Sequence, residues 1–214
     1  MSILDFIFPR KCLECSREGK YVCSVCIKKV QPRGLNVVNG MKVYSVWKYE
    51  GVIRKAIIAL KYKYATEIAM ELSSYLIISL LRNKFLVPGV YCLVPIPLHR
   101  YRQNFRGFNQ SEEIGRLVAK SLGWKFIPDL LIRKRSTTPQ VELKGDDRRR
   151  NLQGVFALNL KYQTPARRQA GLTISHYSFV LFDDVFTTGS TIKEAVKVLK
   201  NEGFKKIWGL TIAG

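Results

Sequence analysis

One stretch constrains this chain more than any other: Phe179-Val180-Leu181-Phe182-Asp183-Asp184-Val185-Phe186-Thr187-Thr188-Gly189-Ser190-Thr191. Phe179 to Phe182 is short and continuously apolar, the pattern of a strand buried on both faces of a parallel sheet. Asp183 and Asp184 follow at its carboxyl end, where open α/β sheets place their ligands. Thr187, Thr188, Gly189, Ser190 and Thr191 then supply small, hydroxyl-bearing residues, and Ile192, Ala195, Val196 and Leu199 give the next segment a helical stripe. Backbone N–H groups at such a strand-to-helix turn bind phosphate, aided by the helix dipole. The acids repel that phosphate, so their partners are hydroxyl groups or a cation that comes with the ligand. An acid pair beside an anion cradle therefore points to a phosphorylated sugar. Either half alone reads equally well as a solvated turn or a helix cap; both in order after an apolar strand do not.

The amino terminus carries an independent signal, Cys12-x2-Cys15, seven residues, then Cys23-x2-Cys26. Two close thiolate pairs suit one tetrahedral, structural zinc ion. So short a stretch cannot bury a core, and ligation gives it a reason to be ordered. Two disulfides or a redox pair are the competing readings. Met1 to Phe8 contains Asp5 and no cationic leader, which predicts a cytoplasmic chain whose thiols stay reduced. Cys92 lies in an apolar run and reads as a small core residue.

The 214 residues, 47% of them hydrophobic, suffice for one ordinary domain plus a small module, and no apolar run reaches the ~20 residues of a membrane span. Pro32, Gly34, Asn36, Asn39 and Gly40 mark a turn-rich boundary, so the expected division is residues 1–36 for the four-cysteine module and 41–214 for the main domain. Strands are predicted at Val43–Tyr49, Val90–Ile96, Phe179–Phe182 and Ile207–Ile212, and helices at Gly51–Tyr62, Glu67–Leu81, Ser111–Leu122 and Thr191–Glu202. That alternation implies an α/β fold with a mostly parallel, doubly wound sheet.

The formal charge of +20 favours polyanionic partners. Three connections concentrate it. Arg100, Arg102 and Arg106 can meet a pyrophosphate bidentately, while Arg133, Lys134, Arg135 and Arg148, Arg149, Arg150 are candidates for contacting the phosphates of single-stranded DNA. Charged loops more often simply keep a surface soluble. His99 and His176 read as loop residues.

The acid pair and the Thr-Thr-Gly-Ser-Thr turn resemble the signature of type I phosphoribosyltransferases. Along nearly the full length the chain is similar to the ComF family, associated with DNA uptake in naturally competent bacteria. That resemblance rests on the four cysteines, Trp47-Lys48-Tyr49-Glu50-Gly51, Leu60-Lys61-Tyr62, Pro95-Ile96-Pro97-Leu98, Arg106-Gly107-Phe108-Asn109-Gln110, Thr138-Pro139-Gln140 and Asn151-Leu152-Gln153-Gly154-Val155-Phe156, together with the signature. It implies a zinc module joined to a phosphoribosyltransferase-type fold. One stretch departs from the family pattern: Leu160 to Tyr177 is a longer polar connection than the family needs and reads as a surface insertion without a role. Asp183 and Asp184 would hold the ribose hydroxyls of phosphoribosyl pyrophosphate, brought in with Mg²⁺, and Thr187 to Thr191 its 5-phosphate. Pro97 to Arg106 would be the pyrophosphate loop and Arg133 to Arg150 a mobile loop. The protein would act in the cytoplasm on or near incoming single-stranded DNA, alongside DNA-uptake or DNA-processing proteins. Two classes stay open, a nucleic-acid-binding protein with a retained sugar-phosphate site and an active transferase.

Overall fold

The computed structural model describes residues 9–38, 40–60, 65–82, 89–98, 107–134, 154–163 and 177–214. Its helices are α1 (Ser24–Lys29), α2 (Gly51–Ala59), α3 (Ala65–Arg82), α4 (Gln110–Leu122) and α5 (Ser190–Asn201). Its strands are β1 (Pro32–Val38), β2 (Met41–Trp47), β3 (Val90–Pro95), β4 (Lys125–Phe126), β5 (Leu131–Arg133), β6 (Phe156–Leu158), β7 (Tyr177–Val185) and β8 (Ile207–Ala213). Six form one sheet in the order β1-β2-β8-β7-β3-β4, and β5 and β6 form a separate antiparallel pair. Within the large sheet β2-β8-β7-β3-β4 are mutually parallel, and only β1 runs against its neighbour. Apart from that edge the fold is the expected mixed α/β architecture around a mostly parallel sheet.

The continuous apolar runs are explained by burial on both sides. On β7, Phe179 and Leu181 enter one core with Ile192, Val196 and Leu199 of α5, while Val180 and Phe182 enter another with Ile53, Leu72 and Ile114 of α2, α3 and α4. Alternation of successive side chains across the pleat sends each strand residue to one face or the other. The sequence-predicted helices end within a few residues of the observed ones. Helix α4 is capped by Asn109, whose side chain accepts from the Ser111 N–H, carries Glu112 and Glu113 in its first turn, and stops at left-handed Gly123 (φ 67°). Each feature satisfies helix-end groups or complements the dipole.

Three segments depart from the sequence reading. The turn-rich Gln31–Gly40 stretch is mainly strand β1, joined to β2 with Val38 opposite Met41 and Gly40 at φ 73° in the turn. A glycine at positive φ suits so tight a hairpin connection, and Pro32 is tolerated as the first residue of an edge strand. The short pair β5–β6 was missed because strands of three residues cannot express a period. Finally, the supposed insertion begins with a 3-10 turn, Leu160–Tyr162, whose Tyr162 is buried. Its hydroxyl donates to Asp129 Oδ1 at 2.7 Å, and Lys161 pairs with the same carboxylate. Among the described residues no helix is long and apolar enough to cross a membrane.

Candidate functional site

The four cysteine sulfurs of the amino-terminal module all lie within 4.8 Å of one another. Cys15 Sγ and Cys23 Sγ are 3.7 Å apart. That is too long for a disulfide, and it fits the roughly 3.8 Å expected between two thiolates that share a tetrahedral zinc at ~2.3 Å. Cys12, Cys23 and Cys26 are buried and Cys15 is exposed. Burial works to raise the Cys12 thiol, but backbone N–H groups of Cys15, Cys23 and Glu14 outweigh it and bring it down to about 6. Burial and the neighbouring sulfurs push Cys26 up to about 12. Four thiolates therefore coexist here only around a cation, and the cluster could hold a structural metal such as zinc.

This module is fastened to the main fold. Glu71 on α3 accepts from the backbone N–H groups of Val22 (2.7 Å) and Tyr21 (3.3 Å), and the Tyr75 hydroxyl donates to the Val22 carbonyl at 3.1 Å. Val22, Cys23, Cys26 and Ile27 belong to the same apolar core as Ile53, Leu72 and Leu76. Glu14 and Lys55 add an exposed ion pair at 3.2 Å.

At the carboxyl end of β7 the acid pair diverges. Asp183 Oδ1 accepts from Ser111 Oγ at 3.2 Å and from the Asp184 N–H at 2.9 Å. Burial and the neighbouring Asp184 charge raise its carboxyl to about 7, while its hydrogen bonds and Arg133 work in the opposite direction. The Asp184 charge also acts on the half-buried Tyr49, whose phenol is raised chiefly by burial, lowered by Arg54 and raised by Asp184. Asp183 is thus tied by a hydrogen bond to the start of α4.

The turn after the acids is built around a glycine. Gly189 caps α5 at φ 72°, and a Cβ there would lie 2.7 Å from the Phe186 ring, so only glycine fits. It offers α5 no side-chain cap, while the Ser190 N–H donates to Thr188 Oγ1 at 3.4 Å; a glycine turn at a helix amino terminus suits an anion. Thr188 Oγ1 and Ser190 Oγ lie 2.8 Å apart, placing two hydroxyls at the same mouth. The predicted residues Asp183, Asp184, Thr187, Thr188, Gly189, Ser190 and Thr191 thus form one continuous strand end, turn and helix start.

Among the other candidates, Arg133 ends β5, half-buried, with its guanidinium 5.6 Å from the Phe156 ring centroid. Exposed Lys134 follows. Both line a cleft of ≈ 880 Å³ bounded also by Pro97, Leu98, Asn109, Asp129, Lys161 and Tyr162. Burial opposes ionisation of Asp129, yet Lys161 and the Tyr162 hydroxyl hold its carboxyl below the usual range. Arg100, Arg102, Arg106, Arg135, Arg148, Arg149 and Arg150, with His99 and His176, lie outside the described residues. Cys92 is fully buried and its thiol is pushed up to about 12 by burial, an inert core residue. Sequence reasoning missed Ser111, and it quoted Asn109 and Tyr49 within motifs without giving either a role. Ser111 was disguised as helix-start chemistry, although its place directly after the Gly107-Phe108-Asn109-Gln110 segment at a strand-to-helix connection was a usable signal.

No protein-family model matches the chain. The chain is 31% identical over 183 residues to the DNA utilization protein YhgH of Salmonella typhi, covering 85% of this chain and 72% of that one. Against the same-named protein of Escherichia coli strain K12 the identity is 29% over 184 residues, with the same coverage. It is 36% identical over 124 residues to competence protein F of Haemophilus influenzae, 56% of this chain and half the length of that protein.

Proposed function

The chain belongs to the ComF family of competence and DNA-utilization proteins, and from that premise we propose that it binds phosphoribosyl pyrophosphate at Asp183 to Thr191 and single-stranded DNA through its cationic surface. The observation that carries the first half is the continuity of acid pair, glycine turn and α5 amino terminus at the end of a buried parallel strand. Hydroxyl acceptors and a phosphate cradle lie in the order a ribose 5-phosphate requires. Mg²⁺ would come with the ligand, carried largely by its own phosphate oxygens. The four cysteines would hold zinc as a structural ion. The second half rests on the +20 charge and on relatives named for competence and DNA utilization; the protein would work in the cytoplasm, next to other DNA-uptake or DNA-processing proteins.

Calorimetry with phosphoribosyl pyrophosphate and Mg²⁺ tests the sugar-phosphate site. Binding by the parent chain that is lost in the Asp183→Ala/Asp184→Ala double variant supports it, and a well-folded parent that fails to bind refutes it. Fluorescence anisotropy with a labelled single-stranded oligonucleotide tests the other half. Affinity should show little sequence preference and fall with salt, with a log–log slope of about −0.7 per phosphate contact; no binding at low salt removes the DNA reading.

A second reading is favoured by the ≈ 880 Å³ cleft beside Arg133, which leaves room for an acceptor near the sugar site. In it the protein transfers the phosphoribosyl group to a nitrogen nucleophile and releases pyrophosphate. Pyrophosphate release across a panel of bases is the test.

A further inference from the structure

Four hydrogen bonds close a circuit around Asp183. The Ile96 N–H donates to the Phe182 carbonyl at 2.8 Å. Asn109 Nδ2 donates to the Ile96 carbonyl at 3.0 Å, and Asn109 Oδ1 accepts from the Ser111 N–H at 3.1 Å. Ser111 Oγ then donates to Asp183 Oδ1 at 3.2 Å, returning to the strand where the circuit began. Asn109 and Ser111 are 5% and 4% exposed, so water does not compete for these bonds as it would on a surface. The circuit ties the ends of β3 and β7 to the start of α4.

Its chemical effect falls on one oxygen. The Asp184 N–H also donates to Asp183 Oδ1, at 2.9 Å. Two donors on Oδ1 fix the carboxylate plane and turn Oδ2 into the oxygen available to a ligand hydroxyl. A helix-start serine usually serves its own helix, but here the cap is Asn109. The Ser111 hydroxyl reaches across 72 positions of sequence to another element.

We propose that Ser111 is a positioning residue, whose hydroxyl, held in place by Asn109, orients Asp183 to accept a ribosyl hydroxyl and so makes the start of α4 a determinant of sugar phosphate over plain phosphate. The inference rests on the sugar-phosphate reading of Asp183 to Thr191. It separates two parts of that site. The α5 turn supplies phosphate affinity, and the circuit supplies the increment due to hydroxyls.

Titration calorimetry with inorganic phosphate and with ribose 5-phosphate measures the two parts separately. In the parent chain ribose 5-phosphate should bind more tightly than phosphate. Ser111→Ala should lower ribose 5-phosphate affinity by about tenfold, the effect of losing a hydrogen bond to a charged group, and leave phosphate affinity unchanged. Ser111→Thr, which restores the hydroxyl, should recover most of the loss. Ser111→Cys keeps the volume with a weak donor and should behave as Ala does, should the alanine variant fold poorly. A folded Ser111→Ala or Ser111→Cys chain that retains the full preference for ribose 5-phosphate overturns the role of Ser111, and so does equal loss for both ligands. A parent chain with no preference overturns the sugar-phosphate reading itself, and this inference with it.

Discussion

Asp183→Asn should make the protein more stable and less able to bind sugar phosphate, and the size of the gain should depend on pH. Burial and the Asp184 charge push the folded carboxyl up to about 7 from its ordinary 3.8. Its folded pKa lies above the unfolded one, so the folded state binds the proton more tightly. The associated stability is fully present below about pH 4 and is lost as pH rises through 7. Each pH unit of that window is worth about 1.4 kcal/mol. Two such units separate pH 5 from pH 7, so the ionising chain loses roughly 3 kcal/mol between pH 5 and 8. Asparagine keeps an oxygen for the Ser111 hydroxyl and the Asp184 N–H but cannot ionise. The advantage of the variant should therefore grow by roughly 3 kcal/mol across the same interval. Urea unfolding of both chains at pH 5, 6, 7 and 8, with metal present and ligand absent, measures it. Comparing the two chains cancels the contributions of cysteine and histidine, and parallel stability profiles would refute the assignment.

The other predictions concern the turn and the module. Gly189→Ala forces a Cβ against the Phe186 ring at φ 72°; a stability loss of about 1–3 kcal/mol in chemical denaturation and at least tenfold weaker phosphate binding by calorimetry are expected. Purified chain should contain one tightly bound zinc by elemental analysis, and Cys15→Ser should lose it, because the cluster has four sulfur donors and no spare. Glu71→Ala leaves the Val22 and Tyr21 N–H groups without their carboxylate. Denaturation should show a cost of roughly 1–3 kcal/mol, and limited proteolysis should cut the module sooner than in the parent chain.

What could be read from the sequence follows from how locally each feature is encoded. β7 and its acids were legible because burial, charge and turn chemistry occur within thirteen consecutive residues, and the cysteines because ligand spacing is a local property. Helix α4 announced itself through Glu112, Glu113 and Gly123. The β1–β2 hairpin carried an equally local signal in its sequence, but the glycines and asparagines there were counted as a boundary. Ser111 could not be found in this way. Its role depends on an oxygen 72 positions away, and a serine at a helix start has an adequate local explanation. Tyr162 was lost to the polar residues around it, although a large aromatic ring seldom lies idle in a solvated insertion.

The shared core of the cysteine module and helices α2 and α3 would make a metal held by the four cysteines a thermodynamic ligand of the whole fold. An ion that binds the folded chain and not the unfolded one stabilises by an amount that grows with the logarithm of its free concentration. Because Cys23 and Cys26 are buried with Ile53 and Leu72, that increment is not confined to the module; it bears on the helices behind β2 and β8. With zinc held there, the folded population of this protein should follow the zinc supply of its cell, rising and falling by mass action without any change in the turn after the acids.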